Sequence, residues 1–564
     1  VIEKIGTMWP EITLFAFTCV VMIVGLSKSA GVRSLCAPLS ILALVVAGVL
    51  AWGGISGGES FMPNLAGLAK VGVCVVGVLL VLLAAGSADR DYEAAVARGQ
   101  VFNPLRSTKA EFYALMLFSL TGLMLVAGSD DLIMLFLALE LTSLPTYVMV
   151  TISTRRNRSM EAGVKYFFLG ALGAAIFLYG FVLIYGGTGT TSLAEIHALL
   201  ADHAPDGPSA FNTITIAGVV LAVLGLCFKI AAVPMHFYTP DVYQGASASV
   251  GAFLAFVPKT AGFLALMFIV GAVGWNTTGP DGVARLPAPL GELLWIIAAL
   301  TMTVGNVLAV RQRSIKRILA YSSIAHSGYM LVGLLAGPGL VRTIGGASSG
   351  DFATNGLAAV LFYLFVYGVT NIGCFAVVAC LNKTGRDGHP VEIDDVDDIR
   401  GLCATRPLLG WTMVLCSVSL LGFPPLIGFF AKVPLFTSAI AANQIVLVVI
   451  LGVNSAIAAF YYLRLASAPL LEQPDFAGRS DVRPNLIMGR SLAGLVACVS
   501  VIALAAYPVT HLADSAGKYR AATPKGTSPL DLEGASLEME ATADAASPTE
   551  SAARAAGQRP QTAR

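Results

Sequence analysis

Apolar runs of about 20 residues, the length a helix needs to cross a bilayer, recur along the whole chain with short polar connections between them. They fall at 8–26, 35–52, 68–86, 112–128, 131–152, 162–186 and 213–235 in the first half. The second half adds 245–274, 290–310, 318–338, 356–382, 407–423 with a continuation to 442, 445–468 and 489–511. The pattern predicts an all-α membrane protein of about fourteen transmembrane helices. Met8 to Leu26 lacks a basic leader stretch and a small-residue cleavage site, so it reads as a first span rather than a signal peptide.

Loop charge tests that count, because cytoplasmic loops collect Lys and Arg. Connections after odd-numbered spans carry Lys28 and Arg33; Arg90, Arg98, Arg106 and Lys109; Arg155, Arg156 and Arg158; and Arg311, Arg313, Lys316 and Arg317. Further basic residues lie around 383–406 and 464–490. Connections after even-numbered spans hold only Arg285 and Arg342. This parity places both termini on the outer, periplasmic side of a bacterial cytoplasmic membrane. From 515 to 564 the chain turns to Ala, Ser, Thr, Pro and Glu, a tail too polar to bury a core and expected to be disordered.

Composition agrees with the pattern. The 564 residues are 56% hydrophobic and 12% charged, with a mean hydropathy of +0.77, which excludes an ordinary soluble domain. A net charge of +1 without basic clusters argues against nucleic acid as a partner. The nine cysteines lie mostly inside apolar runs without a C-x-x-C pair, so no metal or cluster site is expected. GGTGT at 186–190 ends a membrane helix and is no dinucleotide fingerprint, so no cofactor is expected on this chain.

Charge inside the spans changes the picture from composition to chemistry. An ionised side chain at mid-membrane costs about 2.5–3.5 kcal/mol and marks a functional candidate by default. Glu140, Lys165, Lys229, Lys259 and Lys432 each occupy a different span, and Lys316, His236 and His326 extend the set. A bland reading remains for some of them. Lys165 near a span end can snorkel to the headgroups, and Glu140 can neutralise one lysine structurally. Proline adds a second signal, because it removes a backbone donor and breaks membrane helices where polar groups or water take over. Pro234 follows Lys229 by five residues, Pro258 immediately precedes Lys259, and Pro424 and Pro425 precede Lys432, so helix breaks are expected at all three places. Broken helices beside buried charge are a transporter signature, and a carboxylate whose distance from a lysine changes can load and unload its proton.

FKIAAVPMHFYTPDVYQGASASVGAFLAFVPKTAGF, RQRSIKRILAYSSIAHSGYM and GFPPLIGFFAKVPLF together resemble the antiporter-like membrane subunits of NADH:quinone oxidoreductase (respiratory complex I) and of Mrp antiporters, with TPDVY favouring the N type. The resemblance spans roughly residues 5 to 510. It implies three N-terminal helices within 1–111, two five-helix repeats of inverted topology at 112–274 and 290–468, a last helix at 489–511 and the tail at 515–564, with the seventh and twelfth helices discontinuous. It further implies that Glu140 and Lys165 form a charge pair, that Lys229 is the central proton carrier, and that His236, Lys259, Lys316 and His326 lead to a terminal carrier at Lys432. NADH and quinone would be used elsewhere in the complex, and the neighbours would be an M-type subunit and small K/J-type subunits. Gln244, Ser247, Ala248 and Ser249 depart from the family wording, as do Phe237 and Tyr238. The acidic stretch Glu392, Asp394, Asp395, Asp397 and Asp398 resembles a family connector and reads as solvated surface.

Two other functions compete. An Mrp-type Na⁺/H⁺ antiporter subunit shares the lysines and breaks, but the wording at Asp241, Val242 and Tyr243 argues against it. A scaffold that has lost transport would not need all these charged positions.

Overall fold

A computed structural model of the chain describes residues 8–53, 63–86, 88–154, 157–201, 213–275, 277–278, 284–338, 341–344, 347–350, 354–384, 390–472, 482–484 and 487–506. The tail at 515–564 lies outside them, as does the end of the 489–511 helix beyond 506. Within the described residues ten helices are long and apolar enough to cross a membrane, and five shorter apolar helices accompany them.

In chain order the helices are α1 (Trp9–Gly25), α2 (Cys36–Gly53), α3 (Pro63–Ala84), α4 (Lys109–Ala127), α5 (Leu132–Ile152), α6 (Asn157–Thr188), α7 (Thr213–Lys229) and α8 (Thr239–Gly245). They continue with α9 (Ala248–Val273), α10 (Ala288–Val310), α11 (Ile315–Ala336), α12 (Gly356–Ala379), α13 (Pro407–Leu421), α14 (Ile427–Ala441), α15 (Ile445–Leu471) and α16 (Met488–Ala506). Local chemistry sets several starts. The Asp131 carboxylate accepts from the Ile133 amide at 2.7 Å, Ser314 Oγ from the Arg317 amide at 3.2 Å and Asn355 Oδ1 from the Ala358 amide at 3.0 Å, each satisfying a donor that the first helical turn leaves free.

Helices α9, α11 and α12 are almost wholly enveloped, while α6 and α15 leave a broad apolar face outward. Every residue of α9 is buried. Around this centre α7 packs along α6, α10 along α11 and α13 along α15, and α3 and α16 close against α12. Three small antiparallel sheets decorate the connections. In one of them Leu381–Thr384 lies between Pro390–Glu392 and Arg483–Pro484, and it delivers the acidic stretch that follows.

Two expectations need correction here. Pro258 does not break its helix, because α9 runs without interruption from Ala248 to Val273. A proline withholds a donor from the carbonyl four residues earlier, here Leu254, and both residues line a small cavity inside the fold. Enclosure by neighbouring helices lets a membrane helix continue past such a residue. The acidic stretch is likewise not plain surface. The Glu392 carboxylate accepts from Lys316 Nζ and from the Ala248 amide, both at 2.8 Å. Asp394 accepts from Ser314 Oγ at 2.6 Å and from Gln244 Nε2 at 3.1 Å. Acceptors on this loop thus bind the α8–α9 joint to the start of α11, through three side-chain donors and the Ala248 amide, which the first turn of α9 leaves without an intrahelical partner.

Candidate functional site

The first centre forms where α7 ends. Its last residue is Lys229, after which Ile230–Tyr238 form a non-helical segment containing Pro234, and α8 begins at Thr239. Lys229 Nζ donates to Glu140 Oε1 at 3.0 Å and to Ser143 Oγ at 2.6 Å. Glu140 and Ser143 are three residues apart on α5 and share a face. Ser143 Oγ donates its own hydrogen bond to the Leu139 carbonyl at 2.7 Å, which leaves its oxygen free to accept. The Lys229 side chain is 3% exposed and that of Glu140 20%, so one end of a buried pair reaches the molecular surface.

Next to this pair lies a cavity of about 10 Å³, lined by Tyr166, Lys229, Tyr238, Tyr243, Lys259 and Ser323 among others. That volume suits about one water molecule, and the hydroxyls around it offer the polar partners a water needs. On its far side Lys259, at mid-length of α9, donates to the Ser323 carbonyl and to Ser323 Oγ at 2.5 Å, with its ammonium 5.0 Å from the Tyr367 ring centre. Ser327 Oγ, one turn on, donates to the Ile230 carbonyl at 2.5 Å, so α11 is tied to the break in the α7–α8 region.

The second centre repeats the device. Helix α13 stops at Leu421, Pro424 and Pro425 lie in the gap, and α14 begins at Ile427. Lys432 Nζ donates to the Leu421 carbonyl at 2.6 Å, one of the acceptors that a helix C-terminus leaves free and that attract a cation. Gly422, at φ +84°, allows the approach: a Cβ there would stand 2.7 Å from Lys432 Cδ. Between the centres His326 has a tyrosine hydroxyl at each ring nitrogen, Tyr462 at 2.8 Å from Nε2 and Tyr363 at 2.6 Å from Nδ1. One nitrogen of a neutral imidazole donates and the other accepts, so a tautomer change moves a proton equivalent across the ring. Among the described residues neither Lys259 nor Lys432 has a carboxylate ion-pair partner.

Other candidates are placed differently from the expectation. Glu140 does not pair with Lys165. Lys165 lies on an open side of α6, 43% exposed, and its Nζ bonds Glu161 at 2.7 Å and Asp241 at 3.2 Å. Asp241 also takes Arg317 at 2.9 Å. The Tyr166 side chain, not that of Lys165, faces the interior. Lys316 does not stand between Lys259 and His326. Its Nζ is held by Glu392 and, at 2.9 Å, by the Ala246 carbonyl, and ten residues of helix rise put it about 15 Å from His326 along α11. His236 lies half-buried on the break and is not among the cavity-lining residues.

Ser143, Ser323, Tyr363 and Tyr462 escaped the sequence reading. The i,i+3 spacing from Glu140 could have singled out Ser143. The tyrosines carry no local signal, because their partner His326 is 37 residues from one and 136 from the other.

The profile of the family described as NADH:quinone oxidoreductase/Mrp antiporter, transmembrane, matches residues 129–458. The chain is 37% identical to NADH-quinone oxidoreductase subunit N of Trichlorobacter lovleyi, over 82% of this chain and 86% of that protein. It is 37% identical to subunit N 2 of Symbiobacterium thermophilum, over 80% of each. Among solved structures, a chain of respiratory complex I from Thermus thermophilus with bound aureothin superposes with a TM-score of 0.68 at 30% identity, covering 89% of this chain and 98% of that one. The chain belongs to the NADH:quinone oxidoreductase/Mrp antiporter transmembrane family, on its subunit N branch.

Proposed function

We propose that this chain is the N-type proton-translocating membrane subunit of an NADH:quinone oxidoreductase, moving protons through buried Lys, Glu and His groups while quinone is reduced elsewhere in the complex. The observation that carries the reading is the buried Glu140–Lys229 pair beside a helix break. It is followed across a water-sized cavity by Lys259 and, beyond His326, by Lys432 at a second break.

Counting α7 with α8 and α13 with α14 as one discontinuous span each gives fourteen among the described residues, which supports a reading as inverted repeats at 112–274 and 290–468. In this reading both termini face the periplasm of a bacterial inner membrane, and M-type and K/J-type subunits flank the chain. It holds no redox centre, and NADH and quinone bind other subunits. Proton transfer follows the order Glu140 and Lys229, the cavity, Lys259, His326 with its tyrosines, and Lys432, with Lys316 and His236 as side entrances. Lys165 acts at the surface.

The test is Lys229→Ala and Lys432→Ala in the assembled complex, reconstituted in proteoliposomes. Each substitution is expected to depress proton-coupled quinone reduction by roughly tenfold or more while assembly persists. A normal number of protons per NADH in either variant overturns the reading.

A further inference from the structure

Outside the relay, a second buried polar cluster lies between α10, α11 and α15, and its centre is Asn306. Asn306 and Asn454 are 0% and 2% exposed. Asn306 Nδ2, with two hydrogens to give, faces three acceptors: the Met302 carbonyl at 2.9 Å, Tyr329 Oη at 2.9 Å and Asn454 Oδ1 at 3.2 Å. Its Oδ1 accepts from the Tyr461 hydroxyl at 3.0 Å. Asn454 Nδ2 in turn donates to the Ile450 carbonyl at 3.0 Å and to Thr303 Oγ1 at 3.3 Å. Thr303 lies on the exposed side of α10.

The direction of these bonds is settled by chemistry. A backbone carbonyl only accepts, so the nitrogen of each amide must face Met302 and Ile450, and the oxygens must face the other way. Hydroxyls can reverse their hydrogen bonds, whereas an amide cannot. The Tyr461 proton is therefore committed to Asn306, and Tyr329 can meet the amide nitrogen only as an acceptor. Both tyrosines touch the relay. The Tyr329 ring centre is 5.2 Å from Lys432 Nζ and 5.4 Å from the His326 ring, and the Tyr461 ring packs 4.5 Å from that of Tyr462, which bonds His326.

We propose that Asn306, held by Asn454, is a positioning residue for proton transfer between His326 and Lys432. Its fixed-polarity amide closes the hydrogen-bond network on the α10 side and holds Tyr329 and Tyr461 against the transfer step. With its proton committed to Asn306, Tyr461 can meet Tyr462 only as an acceptor and returns no proton to the Tyr462 hydroxyl, which bonds His326 and Ser322; a proton leaving the imidazole has Lys432 as its onward acceptor. Without this stop the polar cluster would continue through Asn454 to Thr303 at the exposed face. The inference rests on the function proposed above.

The experiment uses the assembled complex in proteoliposomes, with protons pumped per NADH and the pH profile of coupled turnover as readouts. Asn306→Leu is expected to lower coupled turnover roughly tenfold, because displacing a proton-transfer partner by about 1 Å costs up to two orders of magnitude. Asn306→Asp supplies the rescue. Protonated, the introduced carboxyl accepts from Tyr461 and keeps one hydrogen to donate at the edge that faces Tyr329; ionised, it cannot donate. Tyr329 on α11 and Tyr461 on α15 face it, and Lys432 on α14 stands across the Tyr329 ring. Turnover of Asn306→Asp is therefore expected to approach wild type at acid pH and to fall away as pH rises.

Wild-type coupled turnover in Asn306→Leu overturns the inference. So does an Asn306→Asp profile parallel to wild type, which a merely structural amide would give. If Asn306→Leu does not assemble, the profile of Asn306→Asp decides alone. Lys432→Ala run alongside separates the two levels: normal coupling there overturns the proposed function, whereas loss there with normal coupling in Asn306→Leu overturns only the role of Asn306.

Discussion

Lys229 Nζ lies 3.0 Å from Glu140 Oε1, across 89 residues of sequence, with Ser143 Oγ as its second acceptor at 2.6 Å. The ammonium is buried, and among the described residues the carboxylate is its counter-charge. Glu140→Gln keeps the shape and an acceptor but removes the negative charge that faces Lys229 Nζ. Coupled turnover of the assembled complex is expected to fall roughly tenfold, equivalent to about 1.4 kcal/mol of barrier. Unchanged NADH-driven proton pumping in this variant would reduce the pair to a structural salt bridge.

Lys165 gives the contrasting case. Its partners Glu161 and Asp241 are 63% and 42% exposed, and solvent-exposed pairs contribute little. Lys165→Ala is expected to retain coupled turnover within about two-fold of wild type. A loss as deep as that of Lys229→Ala, measured in the same assay, would return Lys165 to the relay.

Gly422 is expected to tolerate no side chain. At φ +84° an L-residue pays about 1–2 kcal/mol, and the new Cβ would meet Lys432 Cδ at 2.7 Å. The lysine would be pushed from the Leu421 carbonyl, so Gly422→Ala should lower both the melting temperature of the purified complex and its protons per NADH. Full pumping in Gly422→Ala would show that the Lys432–Leu421 bond is dispensable.

Glu93, in the short helix Arg90–Ala97, makes a two-pronged bond to the buried Arg33 guanidinium at 2.8 and 2.7 Å. The hydrogen bond to Arg33 holds its carboxyl below the usual carboxylate range, helped by Lys109 and opposed by partial burial. A group whose folded-state pKa is lowered adds stability that is complete above its unfolded value, about 4.3 for Glu, and is lost as pH falls through the folded value. Glu93→Gln should therefore lower thermal stability at neutral pH, and the gap to wild type should close on acidification. A gap that does not depend on pH would assign the effect to shape rather than charge.

Much of the candidate site was legible without coordinates. Glu140, Lys229, Lys259 and Lys432 declare themselves because charge in an apolar run is costly and marks a functional candidate. Pro234, Pro424 and Pro425 mark real interruptions because the helix has no way to satisfy the chain there. Pro258 misleads for a reason that lies outside its own sequence: α9 is enclosed on every side, and a helix so enclosed absorbs the missing donor. The acidic stretch from Glu392 to Asp398 looks solvated for a similar reason, since nothing local reveals that Lys316 and the Ala248 amide will face it.

What the sequence alone determined is the membrane class, the succession of apolar helices and the identity of the groups that can carry charge, because hydrophobic length and ionisation are properties of single residues and short runs. What only the tertiary structure decided is partnership. Glu140 chose Lys229 over Lys165 because the end of α7 turns its ammonium inward beside α5, whereas α6 turns Lys165 outward. His326 met Tyr363 and Tyr462, and Asn306 met Tyr329 and Tyr461, because α10, α11 and α12 pack with the later α15 at the same depth. Direction in a proton path is a matter of ångströms between such side chains, and those distances arise from packing.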